Sequence, residues 1–415
     1  MSKTFKLFAV TILAGAASTV YADAATTAGG IKVKTEDGRF EANINGRVHF
    51  DYYSFSEDEG AAFGSNALTN RGGAAFRRVR VDLSGKAYGW EYKIENDFAG
   101  QGTTATGGAN GSGFREMWIG TKVGPGKLII GQHKGFRGME ELASSNEITL
   151  IERPNTTATG IYAGRQFLTG LFYKGNTDTF GYGVHATTLQ AGTLTTEGHS
   201  FGARGYWFPM SGDGQTVHVA LAYSTDREDV GSANAAPSFA YGGRRGASLG
   251  LGNAGSIFNL PAGTQNGNGT QNTIHGELAG SFGSFTAQAE YAMATLENSL
   301  GSAAAPDDLD VTAYYVQASY FVTGEKKVYK KDRGAFGSPK PINSFGAVEA
   351  VVRYEASEND AGAADVEGSQ ITLGANWYVN PNVRFMLNYY IGEAENAAGA
   401  KDEPEAITVR AQMSF

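Results

Sequence analysis

Apolar and polar residues alternate one by one along extended stretches of this chain. In Glu405–Phe415, Ile407, Val409, Ala411, Met413 and Phe415 take one parity, and Thr408, Arg410, Gln412 and Ser414 the other. Val383–Gly392 sets Val383, Phe385, Leu387, Tyr389 and Ile391 against Arg384, Met386, Asn388 and Tyr390, and Gln370–Tyr378 repeats the pattern. A period of two belongs to a strand with one apolar and one polar face. Sixteen segments read as strands, at roughly 40–54, 76–86, 90–98, 114–122, 127–133, 166–174, 180–188, 200–208, 215–224, 273–282, 284–296, 311–322, 344–357, 369–378, 382–393 and 405–415. Most approach the ~9–11 residues of a tilted membrane strand, beyond the ~5–6 of a soluble one.

The connections alternate in length. Gly124-Pro125-Gly126, 175–179, 209–214, Gly283 and Val379–Asn382 are short, whereas 55–75, 99–113, 134–165, 225–272, 297–310, 358–368 and 394–404 are long and rich in Gly, Asn, Ala and Asp. A soluble sandwich explains the parity but not this asymmetry. A barrel with short periplasmic turns and long external loops explains both. The expected fold is therefore all-β, a 16-stranded antiparallel transmembrane barrel with lipid outside and water inside. An even strand count puts both barrel ends on the periplasmic side. Trp118, Trp207, Tyr320, Phe321, Trp377, Tyr378, Tyr389 and Tyr390 fall near strand ends, where interfacial girdles belong. One turn breaks the rule. Segment 323–343 is long and carries Lys326, Lys327, Lys330, Lys331, Arg333 and Lys340, either as a basic patch at the periplasmic mouth or as a solvated turn.

The N-terminus carries Lys3 and Lys6, an apolar run Leu7–Ala17, and small residues through Val20-Tyr21-Ala22 or Ala22-Asp23-Ala24. That is the three-part pattern of a secretory signal. Its apolar run is shorter than the ~20 residues that a membrane helix needs. The expected organisation is a signal peptide at 1–22 (cleavage alternatively after 24), a short periplasmic lead at 23–39 and the barrel at 40–415.

Composition removes other classes. The 58 glycines keep no three-residue period and prolines number 10, which excludes collagen. With 24 Phe, 20 Tyr and 4 Trp the chain is too aromatic for disorder. A net charge of −8 without a basic stripe argues against nucleic acid. The absence of cysteine removes disulfides, thiolate metal sites and a Cys nucleophile. The 6 histidines are scattered without ligand spacing, so neither a metal nor a cofactor is expected. Gly246–Gly250 matches G-x-S-x-G and Gly250–Gly255 matches G-x-G-x-x-G, but both lie in the longest glycine-rich loop, without the strand-to-helix setting either chemistry needs. Asp307-Asp308-Leu309-Asp310 reads as a solvated loop. An enzyme is not expected.

Parity also assigns the lumen. Strand 40–54 points Glu41, Asn43, Asn45, Arg47, His49 and Asp51 inward, and 76–86 points Arg78, Arg80, Asp82 and Ser84 inward. Arg47, Arg80, Lys134, Glu141, Arg353, Arg384 and Arg410 are expected to line the pore. Both charge signs are present, which suits permeation of small polar solutes without fixing an ion.

Several segments then carry a resemblance. Phe76-Arg77-Arg78-Val79-Arg80-Val81-Asp82-Leu83-Ser84-Gly85, Gly131-Gln132-His133-Lys134, Glu140–Ser145 with Ile151-Glu152-Arg153, Ser319–Glu325, Trp377–Arg384 and Val409–Phe415 together resemble the phosphate-selective porin O/P family. The resemblance implies an outer-membrane homotrimer set in lipid and lipopolysaccharide, a third loop folded inward, and passive diffusion of small polar solutes, including anions such as phosphate. It also implies an anion-binding constriction at Arg77, Arg78, Ser144, Ser145 and Arg153. Guanidinium and hydroxyl donors suit an oxyanion. Where the family carries a lysine three residues before the first serine, this chain has Glu141, whose charge opposes a divalent anion. Two alternatives stay open: a weakly selective general-diffusion porin, and an outer-membrane or secreted β-protein with an adhesive or hydrolytic role.

Overall fold

The computed structural model describes residues 22–27, 30–56, 62–63, 72–99, 113–189, 198–212, 214–228, 237–243, 245–251, 269–302, 305–360 and 365–415. Most of the signal segment lies outside these residues, as does most of the stretch holding the second glycine motif.

Sixteen strands form the barrel wall. They are β1 Phe40–Phe55, β2 Gly73–Ala87, β3 Trp90–Asp97, β4 Gly113–Val123, β5 Gly126–Lys134, β6 Phe167–Asn176, β7 Phe180–Thr188 and β8 Gly198–Gly212. The remainder are β9 Gln215–Glu228, β10 Gly269–Phe282, β11 Phe285–Ser302, β12 Ala305–Phe321, β13 Ala347–Asp360, β14 Val366–Tyr378, β15 Val383–Glu395 and β16 Glu405–Ser414. Each pairs antiparallel with its chain neighbours, and β16 returns to β1 with Ala406 opposite Phe55 and Ser414 opposite Arg47. The sheet therefore closes, which satisfies every wall strand without a free edge in lipid. Below that seam β1 continues beyond the end of β16. Its exposed edge at Glu41–Ile44 is taken by the N-terminal strand Gly30–Thr35.

Alternation is expressed as expected. On β16, Ile407, Val409 and Met413 are exposed toward the lipid side while Thr408, Arg410 and Gln412 are buried inside. The strands near residues 297–310 differ from the expected loop. β11 and β12 run on to Ser302 and Ala305, leaving only 303–304 between them. Loop-like composition there is overridden by strand pairing across Gly301 and Pro306.

Several adjacent aromatics split across the wall. Trp207, Tyr320 and Trp377 face out, whereas Phe321, Tyr378 and Tyr390 are buried inside. A girdle built from consecutive rings is impossible, because neighbours on a strand point to opposite faces.

Two segments pack against the inner wall. The first, 135–166 between β5 and β6, contains one short helix, α1 Met139–Leu142. Its backbone is held by wall side chains. Glu290 on β11 accepts from Met139 N and Glu140 N, Asn376 on β14 donates to Thr149 O, and Arg384 on β15 donates to Ile148 O and Thr149 O. The second is the basic connection between β12 and β13. It carries a small hairpin, Val328–Lys330 against Ala335–Gly337. Ala335 and Phe336 pack with Met139, Ala143, Ile148 and Ala279. Lys327 is buried, donating to Thr149 Oγ1 and lying 2.9 Å from Glu349 Oε1. This connection is therefore neither a solvated turn nor a free basic patch at the mouth: its hairpin is built against segment 135–166.

Candidate functional site

Three cavities follow one another through the barrel. One of about 240 Å³ lies toward the long-loop rim, one of about 250 Å³ in the middle, and one of about 280 Å³ beside the short turn Asn380–Val383. Arg153 lines both the first and the second, and Ser144 and Arg333 line both the second and the third. Segment 135–166 thus meets every chamber.

The middle cavity holds the serine pair. Arg47 on β1 donates from Nη1 to Ser145 Oγ at 3.0 Å and to Ser144 Oγ at 3.4 Å, and from Nη2 to Glu95 Oε2 at 3.0 Å. Arg80 donates to Glu95 Oε1 and to Asp97 Oδ2. Glu95 on β3 therefore sits between two guanidinium groups and fixes both. Lys134, at the end of β5, donates to Glu141 O and Ala143 O at 2.6 and 2.9 Å. Arg153 donates to Glu140 O and Ala143 O at 2.8 and 2.6 Å. The C-terminal end of α1 thus gathers two cations beside Ser144 and Ser145. Among the residues lining this cavity are eight Arg or Lys side chains and three carboxylates.

Arg77 and Arg78 are placed elsewhere. The register between β1 and β2 shifts here: His49 faces Arg78 and Phe50 faces Phe76, leaving Arg77 as the extra residue of a bulge. Such an insertion re-aims a side chain. Both arginines consequently reach Glu152, Arg77 through Nε at 2.5 Å and Nη2 at 2.9 Å, and Arg78 through Nη2 at 3.7 Å. Arg77 lines the chamber toward the long loops, and neither arginine lines the serine cavity. Arg78 is nevertheless buried, with Nε and Nη1 lacking any acceptor among the described residues.

Glu141 is turned into its own loop. Its carboxylate accepts from Gln166 Nε2 and Ala158 N, and Glu141 is not among the residues lining the three cavities. Arg353, Arg384 and Arg410 face inward but are occupied. Arg353 donates to Glu355 and Glu152 O, Arg384 to two loop carbonyls, and Arg410 to both Asp51 oxygens and Ile151 O.

Parity reasoning alone misses Glu152. It stands opposite Arg77, Arg78 and Arg410 at once. Burial pushes its carboxyl up, but the three guanidinium groups outweigh this and hold it well below the usual carboxylate range. Glu140 behaves oppositely. Burial and then the Glu290 charge raise it, although Arg153 and Arg353 act against both. Among the described residues no three His, Cys, Asp or Glu side chains are grouped to hold a metal. The Ser248 of the G-x-S-x-G match sits on a small hairpin, Ser238–Ala240 with Ser248–Gly250, not on a strand-to-helix elbow.

Comparison with known proteins agrees with this architecture. Porin O of Pseudomonas aeruginosa is 28% identical over 94% of this chain and 92% of its own length. The outer membrane channel DcaP of Acinetobacter baumannii superposes with a TM-score of 0.59 at 14% identity, covering 92% of this chain and 99% of that one. OmpT of Vibrio cholerae, in its trimer form, gives 0.57 at 12% identity over 91% and 99%. The family model described as "Phosphate-selective porin O and P" matches residues 42–415, and with a closed sixteen-stranded wall around polar cavities, this chain belongs to that family of outer-membrane channels.

Proposed function

We propose that this channel passes small anions preferentially, phosphate-like oxyanions among them, and that segment 135–166 is the inward-folded third loop that narrows the pore. The observation that carries the reading is the excess of Arg and Lys over carboxylates in the middle cavity, centred on Ser144, Ser145 and Arg153. A basic constriction concentrates anions and excludes cations, while its several weak donors allow a solute to leave as well as enter. Arg47, Lys134 and Arg153 form the cationic side, and the serine hydroxyl protons are free to turn toward an oxyanion. Arg77 and Arg78, backed by Glu152, form an outer station with reduced net charge.

The chain is proposed to act as a homotrimer, supported by the trimer form of the Vibrio cholerae neighbour. A leader cleaved after residue 22 or 24 fits the composition of the N-terminus.

The test is reversal potential in a salt gradient across a planar bilayer, followed by phosphate titration of the chloride current. Anion selectivity with phosphate block at low millimolar concentration is the expected result. A cation-selective or unselective current overturns the selectivity. The chamber toward the long loops, where Arg77, Arg153 and Arg353 face Glu152 and Glu355, favours one second reading: general diffusion of polar solutes. Selective, phosphate-insensitive anion current would distinguish chloride passage from phosphate binding. Currents closing in steps of one third would support the trimer.

A further inference from the structure

We propose that the middle cavity is an organic-anion site, and that the solute class it favours is a carboxylate carrying a flat apolar ring. This rests on the channel reading above and adds a preference that an inorganic oxyanion does not explain.

The cavity is amphiphilic. Alongside its cations it is lined by Trp118, Phe136, Leu142 and Tyr206. Compact ions such as phosphate engage only the donors. They leave water against the indole and the phenyl ring, whereas a planar apolar group displaces that water and stacks.

The register gives the two halves a common level. Lys93 on β3 and Trp118 on β4 are direct cross-strand partners. Lys93 Nζ lies 2.6 Å from Glu116, and Glu95 and Asp97 answer Arg47 and Arg80, so the positive charge left beside the serines comes chiefly from Lys134 and Arg153, whose hydrogen bonds go to peptide carbonyls. On the other side Trp118 faces Gly131 of β5, which in turn faces Gly170 of β6. A Cβ at Gly131 would stand 3.1 Å from the Cβ of Trp118, so the glycine leaves Trp118 the room it occupies on the inner wall. Trp118 is also held firmly, since Lys127 Nζ lies 4.1 Å from its ring centroid, a cation–π contact.

One polar atom is left over. Trp118 Nε1 is buried and has no acceptor among the described residues. An indole N–H normally finds a partner when buried. A carboxylate drawn to the neighbouring cations brings an acceptor into this neighbourhood.

The experiment compares benzoate with acetate as blockers of chloride current through the purified full-length protein in a planar bilayer. The two anions share headgroup and charge, so the electrostatic contribution is common to both and the difference reports the ring. Benzoate is expected to half-block at a concentration about tenfold below that of acetate, the size of one good aromatic contact. In Trp118→Ala that difference should collapse, and in Trp118→Leu, which keeps apolar bulk, it should narrow to a few-fold. Equal half-blocking concentrations in the unaltered protein overturn the proposal, as does a tenfold preference that survives in both variants. Absence of any stepwise chloride current before benzoate or acetate is added overturns the channel reading itself, which separates the two failures.

Discussion

Arg47 and Ser145 meet through a 3.0 Å hydrogen bond that joins the first wall strand to segment 135–166 across 98 residues of sequence. The same guanidinium holds Glu95 with its other nitrogen. Arg47 therefore serves two purposes: it positions the serine pair and supplies part of the cavity's positive charge. Arg47→Gln is expected to lower the anion-to-cation permeability ratio by about two- to five-fold, the range of ~0.5–1 kcal/mol for a screened charge. Reversal potentials in a tenfold salt gradient check this, and an unchanged ratio removes Arg47 from the selectivity site.

Glu152 makes the opposite contribution. It sets one negative charge against Arg77, Arg78 and Arg410. Glu152→Gln is expected to raise anion preference. Because its carboxyl titrates far below the usual range, it stays ionised in mildly acidic solution. The gap in selectivity between Glu152→Gln and the unaltered channel should persist from pH 7 down to about pH 4. A gap that closes near pH 5 would show an ordinary carboxylate.

Glu140 gives a stability prediction of reversed sign. Its pKa is raised on folding, so the ionised form costs stability above the unfolded value, and the cost fades as pH falls through the folded value. Glu140→Gln should therefore raise the urea midpoint of the protein in vesicles at pH 8, with a smaller gain at pH 5. Equal gains at both values would contradict the assignment.

Arg410 and Asp51 close the seam between the last and first wall strands with two 2.7 Å hydrogen bonds, and both are fully buried. Arg410→Met takes the guanidinium partner from the buried Asp51 carboxyl and leaves Tyr53 as its side-chain donor, at a cost of about 3–5 kcal/mol. The double variant Asp51→Asn with Arg410→Met should cost less than the sum of the single changes. Gel mobility before and after heating, combined with urea titration, reads both.

The hairpin 328–337 occupies space beside α1. Replacing residues 328–337 with a two-residue turn should increase single-channel conductance while trimers still form. Lys327→Ala, which releases the buried contact to Glu349, should produce noisier openings of intermediate size. Unaltered conductance in the shortened protein would place the hairpin outside the conducting path.

Much of the wall was readable from the chain, because Ile407 and Thr408 already show the two-faced character that burial later displays. Parity stops being enough where the backbone departs from it. Nothing in Phe76-Arg77-Arg78-Val79 announces the bulge that turns two consecutive arginines inward. The girdle reading of Tyr378 and Tyr390 goes by position near a strand end, whereas alternation already sets Tyr390 on the face of Arg384 and Asn388, where it is buried. Glu141 reads as a pore charge until Gln166 and the Ala158 amide are seen to absorb it. Segment 323–343 has the composition of a solvated turn, and its placement depends on Met139 and Ile148, distant in sequence. The assignments that depended on alternation were legible, while those that depended on long-range pairing of irregular backbone were not.

Three wall arginines, Arg353, Arg384 and Arg410, grip segment 135–166 through its peptide carbonyls, at Ile148, Thr149, Ile151 and Glu152. A carbonyl is present whatever residue bears it. Mutation can therefore rewrite the side chains that greet a solute without untying the segment, and natural variation is free to retune what such a conduit admits while its bore stays fixed.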